Sequence, residues 1–247
     1  MRHEISRKKS FLDKMDIIKQ YCSGKDFLVI SCGPSLRDYT KESIQNFSKD
    51  KNVLCIKQSY LEFSDICNFH FFNDYNVSPY RHGEQVFTCS SSRMNFEDAK
   101  KKVWKNFRDT DMHFIINELN FYNTLAVKNN FQDWEIEKTG INRVWGPGII
   151  LECVFPFLVY MRPKKIYTLG WDYGPREITG ETHLEHFYSN DKRKHFVNPA
   201  EVCVKNENIS LIESSKKLNF YLKTLGIELI VLSQKSYVHE EIKRLKI

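Results

Sequence analysis

Short apolar runs alternate with longer amphipathic stretches along the chain, and this alternation predicts an α/β fold. The run Asp26–Ser31 has the length of a strand and lies between two glycine-containing turns, so we expect a fully buried strand there. Further strands are predicted at Asn52–Ile56, Asn68–Phe72, Gln85–Cys89, His113–Ile116, Lys164–Leu169 and Ile227–Leu232. Helices are predicted at Lys8–Cys22, Tyr39–Phe47, Glu97–Phe107, Gly148–Met161, Glu207–Leu225 and Ser236–Leu245.

Strands that alternate with helices are typical of a doubly wound, mostly parallel sheet. The sequence has no internal repeat, low-complexity tract or linker that would divide it, so we predict one Rossmann-like domain over residues 1–247. The polar stretch Tyr173–Asn206 has little periodicity and follows the end of a predicted strand. Such a long irregular segment indicates a functional loop, and we predict a lid at about residues 173–206.

The amino-acid composition excludes a disordered protein and a protein with a membrane-spanning helix. A hydrophobic fraction of 41% in 247 residues is enough for a core, which excludes wholesale disorder. No apolar run reaches the roughly 18 residues that span a bilayer, and the N-terminal residues lack the pattern of a secretion signal. We therefore expect a cytoplasmic protein, with peripheral association at the inner face of the membrane as an option.

The charge and the cysteines exclude further classes. The net charge of +6 is spread along the chain without a basic stripe of interleaved aromatics, so nucleic-acid binding is not expected. An anionic substrate or an acidic membrane surface fits this charge. The seven cysteines are scattered singly, which predicts buried thiols and no disulfide framework or zinc ribbon.

The turn Gly33-Pro34-Ser35 follows the first predicted strand and is the first candidate site. A helix N-terminus in this position exposes N–H groups to which a phosphate can bind. Gly33 would allow the backbone to approach a ligand closely, and Ser35 offers a hydroxyl group and an N-cap. A tight strand-to-helix turn without a ligand would give the same pattern.

The segment Ile30–Leu36, ISCGPSL, resembles the GPSL entrance of two related groups of proteins. One is the bacterial sialyltransferases that act on lipooligosaccharide. The other is the wider set of GPSL-motif proteins linked to motility-associated nonulosonate transfer and to a pterin pyrophosphokinase. The segments Cys55–Tyr60, Phe71–Asn73, Arg143–Asp172 and Asn208–Ser233 resemble later segments of the sialyltransferases, in the same order.

Two positions depart from the pattern of these families. Ser31 or Cys32 stands where they often have a first glycine. Lys57 stands at or next to an asparagine that meets the nucleotide sugar in the sialyltransferases.

The resemblance implies a metal-independent glycosyltransferase of lipopolysaccharide biosynthesis. It would move a sialic acid-like or Kdo-like sugar from a CMP-activated donor to a surface glycan or glycolipid, and would need no cofactor besides that donor. Gly33, Pro34, Ser35 and Asn73 would hold the nucleotide. The alternatives are a GPSL-type pyrophosphokinase or phosphotransferase that uses ATP and Mg²⁺, and a non-catalytic nucleotide-sugar-binding module. The sugar, its linkage, the stereochemical course and the oligomeric state stay open.

Two further segments have the composition of a binding site. Arg143 precedes Gly146-Pro147-Gly148 at the start of an apolar helix, where a backbone nest and a guanidinium group suit a carboxylate or a phosphate. Asp172 follows a strand, where it can accept hydrogen bonds from a ribose or sugar hydroxyl or from a neighbouring loop.

The predicted lid contains the candidate catalytic groups. A neutral imidazole can take the proton of an acceptor hydroxyl, and His186 is preferred to His183, with His195 third. Tyr188 resembles a lid tyrosine that contacts the leaving phosphate in the sialyltransferases. Their catalytic histidine aligns most simply with Cys203 here, so the identity of the base stays open.

Asp109-Thr110-Asp111 matches the D-x-D motif that holds a metal ion in other glycosyltransferases. That motif should follow a strand, whereas this one precedes the strand predicted near His113. We therefore predict no metal site there.

Overall fold

The computed structural model describes residue 5 and residues 10–73, 80–92, 110–115, 131–140, 145, 148–172 and 211–247. Within these ranges eight strands form one sheet in which all neighbouring pairs are parallel. The strands are β1 Phe27–Ile30, β2 Asn52–Ile56, β3 Phe69–Asn73, β4 Phe87–Ser92, β5 Met112–Ile115, β6 Lys165–Leu169, β7 Glu228–Val231 and β8 Lys243–Arg244. The predicted doubly wound α/β class is confirmed.

The described helices are α1 Phe11–Cys22, α2 Lys41–Ser48, α3 Ser59–Phe63, α4 Ile136–Thr139, α5 Phe155–Met161 and α6 Leu211–Thr224. Short 3₁₀ segments occupy Pro34–Asp38 and Phe131–Trp134. The N-termini of α1 and α2 begin where side chains cap them: Ser10 Oγ accepts from the N–H of Asp13, and Thr40 Oγ1 accepts from the N–H of Ser43. None of the described helices is long and apolar enough to cross a membrane.

Alternate residues of each central strand face opposite sides of the sheet, and both sides are buried. One side packs against α1, α5 and α6, through residues such as Phe27 and Val29 of β1. The other side packs against three elements, namely α2, α3 and the segment that follows β1, through Leu28 and Ile30 of β1. This double burial explains why the central strands are continuous apolar runs in the sequence.

The strand order is β5-β4-β3-β2-β1-β6-β7-β8. Strands β2 to β5 therefore follow one another on one side of β1, and strands β6 to β8 follow one another on its other side. A crevice forms at such a reversal, beyond the carboxyl ends of the two strands that flank it. In this sheet those strands are β1 and β6.

Two helix predictions are wrong in part or in full. The predicted helix Gly148–Met161 begins instead as a π-helical segment, Ile150–Val154, and becomes α-helical only at Phe155. The predicted terminal helix Ser236–Leu245 consists of turns and the short strand β8. The predicted helix Glu97–Phe107 and the predicted lid lie outside the described residues.

Candidate functional site

The segments that follow β1 and β6 are joined by backbone hydrogen bonds at the reversal of the sheet. Ser31 N–H donates to the carbonyl of Leu169 (2.8 Å), and Gly33 N–H donates to the carbonyl of Gly170 (2.9 Å). A Cβ at position 33 would lie 2.4 Å from Asp172 Oδ2 and 2.5 Å from Gly170 O. A glycine is therefore required at position 33 because the turn packs against its neighbouring loop, a reason different from the ligand approach expected from the sequence.

Ser35, Asp172 and Ser233 connect the segments after β1, β6 and β7. Ser35 N–H donates to Asp172 Oδ2 (2.8 Å), and Ser35 Oγ–H donates to Asp172 Oδ1 (2.7 Å). Ser233 Oγ lies 2.5 Å from Ser35 Oγ, and Gly170 N–H donates to it over 3.2 Å. Since Ser35 gives its only hydroxyl proton to the carboxylate, Ser233 must donate to Ser35. The result is a directed chain of hydrogen bonds that ends on Asp172.

The Asp172 carboxyl group is buried, and this burial raises its pKa above the ordinary value of 3.8, against the opposing effect of the Ser35 hydrogen bonds. Arg244 is the nearby cation that interacts with this carboxylate electrostatically. Its guanidinium group donates to the carbonyls of Ser233 (2.7 Å), Ser236 (3.2 Å) and Val238 (2.9 Å). Arg244 thus fixes the loop after β7, and Tyr237 N–H in that loop donates to the carbonyl of Asp172 (2.8 Å).

The N–H groups of the turn after β1 are already used inside the protein. Gly33, Ser35 and Leu36 donate to Gly170, Asp172 and Gly33 respectively, and Pro34 has no N–H. The sequence led us to expect these groups to be exposed toward a phosphate. A ligand bound here would therefore contact other atoms of the turn, whose conformation is fixed by the hydrogen bonds from Ser35 to Asp172.

The segment after β2 adjoins this turn. Ser59 Oγ–H contacts the carbonyl of Ile30 (2.7 Å), and Cys32 Sγ contacts the carbonyl of Ile56 (3.1 Å). Burial raises the pKa of the Cys32 thiol to about 11, so it is not a reactive thiolate at neutral pH. The other described cysteines are buried as well, as the sequence predicts.

Lys57, which follows β2, has a left-handed backbone with φ of 50°. This conformation costs roughly 1–2 kcal/mol for a residue with a side chain. Strained residues of this kind persist where surrounding contacts hold them, and they cluster at functional sites. Lys57, which the sequence marked only as a departure from the sialyltransferase pattern, therefore joins the candidate site.

Gly148 is left-handed with φ of 81°, and its carbonyl accepts from the N–H groups of Leu151 (3.0 Å) and Glu152 (2.8 Å). The π-helical segment begins two residues later, at Ile150, and π-helical turns are frequent at functional sites. Glu152 in this segment is buried. Gly148 is thus part of a distinct helix start, while Arg143, Gly146 and Pro147 lie outside the described residues.

The remaining predicted site residues are only partly described. Asn73 is the last residue of β3, at the same carboxyl edge of the sheet. His183, His186, Tyr188, His195 and Cys203 lie outside the described residues. The predictions for these residues stay predictions.

Asp111 lies immediately before β5, at the edge of the sheet opposite the crevice. Its carboxylate accepts from the N–H (2.9 Å) and the hydroxyl (2.8 Å) of Thr88. The carboxylate therefore has a structural partner, and the described residues contain no cluster of potential metal ligands. Asp109 lies outside the described residues.

Sequence reasoning missed Ser233, Ser59 and Arg244 as parts of this region. Ser233 follows an apolar run whose carboxyl end points to the same edge as Gly33 and Asp172, and this was the available signal. Arg244 gave no such signal, because it stands in a segment with the pattern of an amphipathic helix.

Comparisons of the chain with protein-family models, with curated proteins and with solved structures found no match. The class that the described residues define is a doubly wound, all-parallel α/β protein with buried, hydrogen-bonded polar side chains at its topological reversal.

Proposed function

We propose that this protein is a glycosyltransferase that transfers an acidic sugar, of the sialic acid or Kdo type, from a CMP-activated donor to a glycan acceptor. The observation that carries the proposal is the turn Gly33-Pro34-Ser35 at the reversal between β1 and β6. Doubly wound folds bind nucleotides at this position. The order of the sequence segments that resemble sialyltransferases adds independent support.

In this proposal Pro34, Ser35 and Asn73 form the nucleotide side of the site. Asp172, whose carboxyl group is buried and accepts from Ser35 at both oxygens, shapes the turn on this side of the site. Arg143 and the segment Gly146–Gly148 hold the carboxylate of the sugar.

The reaction needs a base and a stabilised leaving group. The acceptor oxygen forms a bond to the anomeric carbon, and the bond from that carbon to the phosphate oxygen of CMP breaks. The acceptor proton goes to a lid histidine, with His186 preferred to His183 and His195. Tyr188 assists the departure of the phosphate, which carries away the bonding electron pair as CMP. The nucleoside monophosphate carries less charge than a diphosphate, so the reaction is proposed to need no metal.

Calorimetric titration with CMP, UDP, GDP and ATP, each with and without Mg²⁺, tests the nucleotide class. We expect CMP to bind selectively and without Mg²⁺. Ser35→Gly is compared with Ser43→Gly, a change at an exposed helix terminus, and only the former should weaken CMP binding. Binding of ATP only with Mg²⁺ would favour the phosphotransferase alternative, and CMP binding without turnover of CMP-sialic acid or CMP-Kdo would favour the binding module.

Single alanine variants of His183, His186 and His195 test the base. The true base should lose on the order of 10²–10⁴-fold in kcat with unchanged donor affinity. If all three variants keep kcat within about threefold, the histidine mechanism is wrong. An acidic residue such as Glu185 or Asp172 would then be the next candidate.

A further inference from the structure

A pair of histidines lies on the side of the sheet that faces α2 and α3. His70 belongs to β3 and is fully buried, and its Nδ1 lies 2.7 Å from Nε2 of His82. His82 is half-buried in the connection between β3 and β4. The other ring nitrogen of His70, Nε2, lies 2.9 Å from the carbonyl oxygen of Lys57.

Aromatic rings enclose the His70 imidazole. Tyr60 of α3 stacks on it with ring centroids 4.4 Å apart, Tyr80 meets it edge-on at 4.5 Å, and Phe72 lies at 4.9 Å. Tyr60 is held in turn by a hydrogen bond from its hydroxyl to the carbonyl of Arg81 (3.0 Å). These contacts fix the plane of the imidazole ring.

The hydrogen bonds determine where the protons of the pair lie. A carbonyl oxygen only accepts, so Nε2 of His70 must donate to Lys57. Burial, and then repulsion by His82, hold the pKa of His70 well below its ordinary value of 6.5, so the ring is neutral at pH 7. Nδ1 of a neutral His70 is then an acceptor, and Nε2 of His82 must donate to it.

The carbonyl oxygen that accepts the hydrogen bond from His70 belongs to Lys57, the residue of the candidate site with a left-handed backbone. Lys57 O accepts from His70 and also, more weakly, from Tyr60 N–H (3.2 Å), while Lys57 N–H donates to Phe71 O (2.8 Å). The Lys57 peptide groups are thus fixed on both sides by β3 and α3. Ser59, two residues later, contacts the last carbonyl of β1.

We propose that His70, fixed as the Nε2–H tautomer by His82, is a positioning residue that holds Lys57 in its left-handed conformation beside the crevice between β1 and β6. The consequence for ligand binding rests on the proposed function, because Lys57 adjoins the turn proposed to bind the nucleotide. The tautomer and the restraint on Lys57 do not depend on any ligand.

Protonation acts first on the contact between the two rings. One added proton on His70 would reverse the hydrogen bond, with His70 Nδ1–H donating to His82 Nε2, and only two cationic rings would leave no acceptor between them. A cationic His70 would still donate from Nε2 to the Lys57 carbonyl. Thr88, the residue paired with His70 in β4, donates to the carboxylate of Asp111. The titratable or charged residues described near the pair include Cys55 on β2, Lys57 after it and Tyr60 on α3, Tyr80, Arg81 and Glu84 in the connection, and Asp111 before β5.

Nitrogen-15 NMR of the histidine rings in the ligand-free protein tests the tautomer directly. At pH 7 we expect a proton on Nε2 and none on Nδ1 of His70, and a proton on Nε2 of His82. A His70 ring with its proton on Nδ1, or one that is cationic at pH 7, would overturn the proposal.

Variants test the positioning role. His70→Phe keeps the ring but removes the donor, while His70→Gln keeps an N–H that can reach a carbonyl. We expect His70→Phe to speed amide exchange at Lys57 and Tyr60 at least about tenfold, with Gln restoring part of the protection. His113→Gln, a change at a histidine that bonds Ser90 instead, is the matched control and should leave this exchange unchanged.

CMP titration of the same variants then tests the link to the site. We expect His70→Phe to weaken CMP binding about tenfold and His113→Gln to leave it within about threefold. Unchanged exchange at Lys57 in His70→Phe overturns the positioning role. A wild-type protein that does not bind CMP overturns the proposed function alone, because the NMR and exchange results are obtained without ligand.

Discussion

Gly33 has a steric requirement that can be measured without any ligand. Its backbone is extended, with φ of −70°, so an alanine would adopt the conformation, but the new Cβ would meet Asp172 and the Gly170 carbonyl. We expect Gly33→Ala to lower the free energy of unfolding by about 1–3 kcal/mol in urea denaturation.

Gly83→Ala is the matched control for this substitution. Its Cβ would also approach atoms at 2.5 Å, but these atoms belong to the exposed side chain of Gln85, which can move aside. The control should change stability by less than about 0.5 kcal/mol. Equal effects at the two glycines would show that the loops after β1 and β6 do not pack as described.

Asp172 should make the protein less stable as the pH rises through its titration. The folded state binds the Asp172 proton more tightly than the unfolded chain, because burial raises the pKa above 3.8. The stability that this group contributes is therefore complete at low pH and is lost as the pH rises from about 3.8 through the raised folded value.

Asp172→Asn isolates this effect, since all other groups titrate alike in both proteins. The asparagine can accept from Ser35 N–H and donate to Ser35 Oγ, which reverses the direction of the hydrogen-bond chain. In urea denaturation between pH 3 and pH 7, the free energy of unfolding of the variant should increase relative to that of the wild type as the pH rises. A difference that is constant over this range would refute the raised pKa.

At the scale of elements, the segment after β7 depends on one arginine. Arg244 donates to three carbonyls across residues 233–238, and its position in β8 anchors the segment to the sheet. Hydrogen bonds to charged groups contribute about 1.5–3 kcal/mol, so Arg244→Met should lower the free energy of unfolding by about 2 kcal/mol.

Amide exchange gives the local signature of this change. The N–H of Tyr237, which donates to the carbonyl of Asp172, should exchange faster in Arg244→Met. Lys243→Met is the control, because the Lys243–Glu228 ion pair is exposed to solvent and contributes little to stability. Equal effects of the two variants would argue against the anchoring role of Arg244.

The same arginine explains why the terminal helix was predicted wrongly. The segment Ser236–Leu245 has charged residues and apolar residues at helical spacing, and local patterns cannot reveal that β7 leaves a sheet edge open. Pairing with that edge and the three carbonyl contacts of Arg244 outweigh the local preference. The π-helical start at Ile150–Val154 was missed for a related reason. Apolar residues on every face of this segment leave no amphipathic pattern from which the number of residues per turn could be predicted.

At the scale of the whole molecule, the sequence predicted β1 to β7 in their order along the chain, because the central strands are buried on both sides and read as short apolar runs. It also predicted that Gly33 and Asp172 belong to one region. It could not predict their direct contact, since Ser35, Asp172 and Ser233 meet across separations of 137 and 198 residues. Only the register of β1 against β6 and of β6 against β7 brings these side chains together.

The response of the whole fold to acid should come in part from histidines that the sheet buries. Burial, and then the charge of Lys14, lower the pKa of His113 to about 4. The folded state therefore binds the His113 proton less tightly than the unfolded chain. The resulting stability is complete above about pH 6.5 and is lost as the pH falls toward 4.

His113→Gln should remove this dependence and keep a hydrogen bond to Ser90, whose hydroxyl lies 2.8 Å from His113 Nδ1. In urea denaturation the wild type should lose on the order of 1–3 kcal/mol relative to the variant between pH 7 and pH 4, because the His113 pKa falls from 6.5 to about 4 on folding. This direction is opposite to that expected for Asp172, so the two variants separate the two contributions. If the wild type and His113→Gln lose stability in parallel over this range, the lowered pKa of His113 is wrong and the acid sensitivity belongs to other groups, His70 first among them.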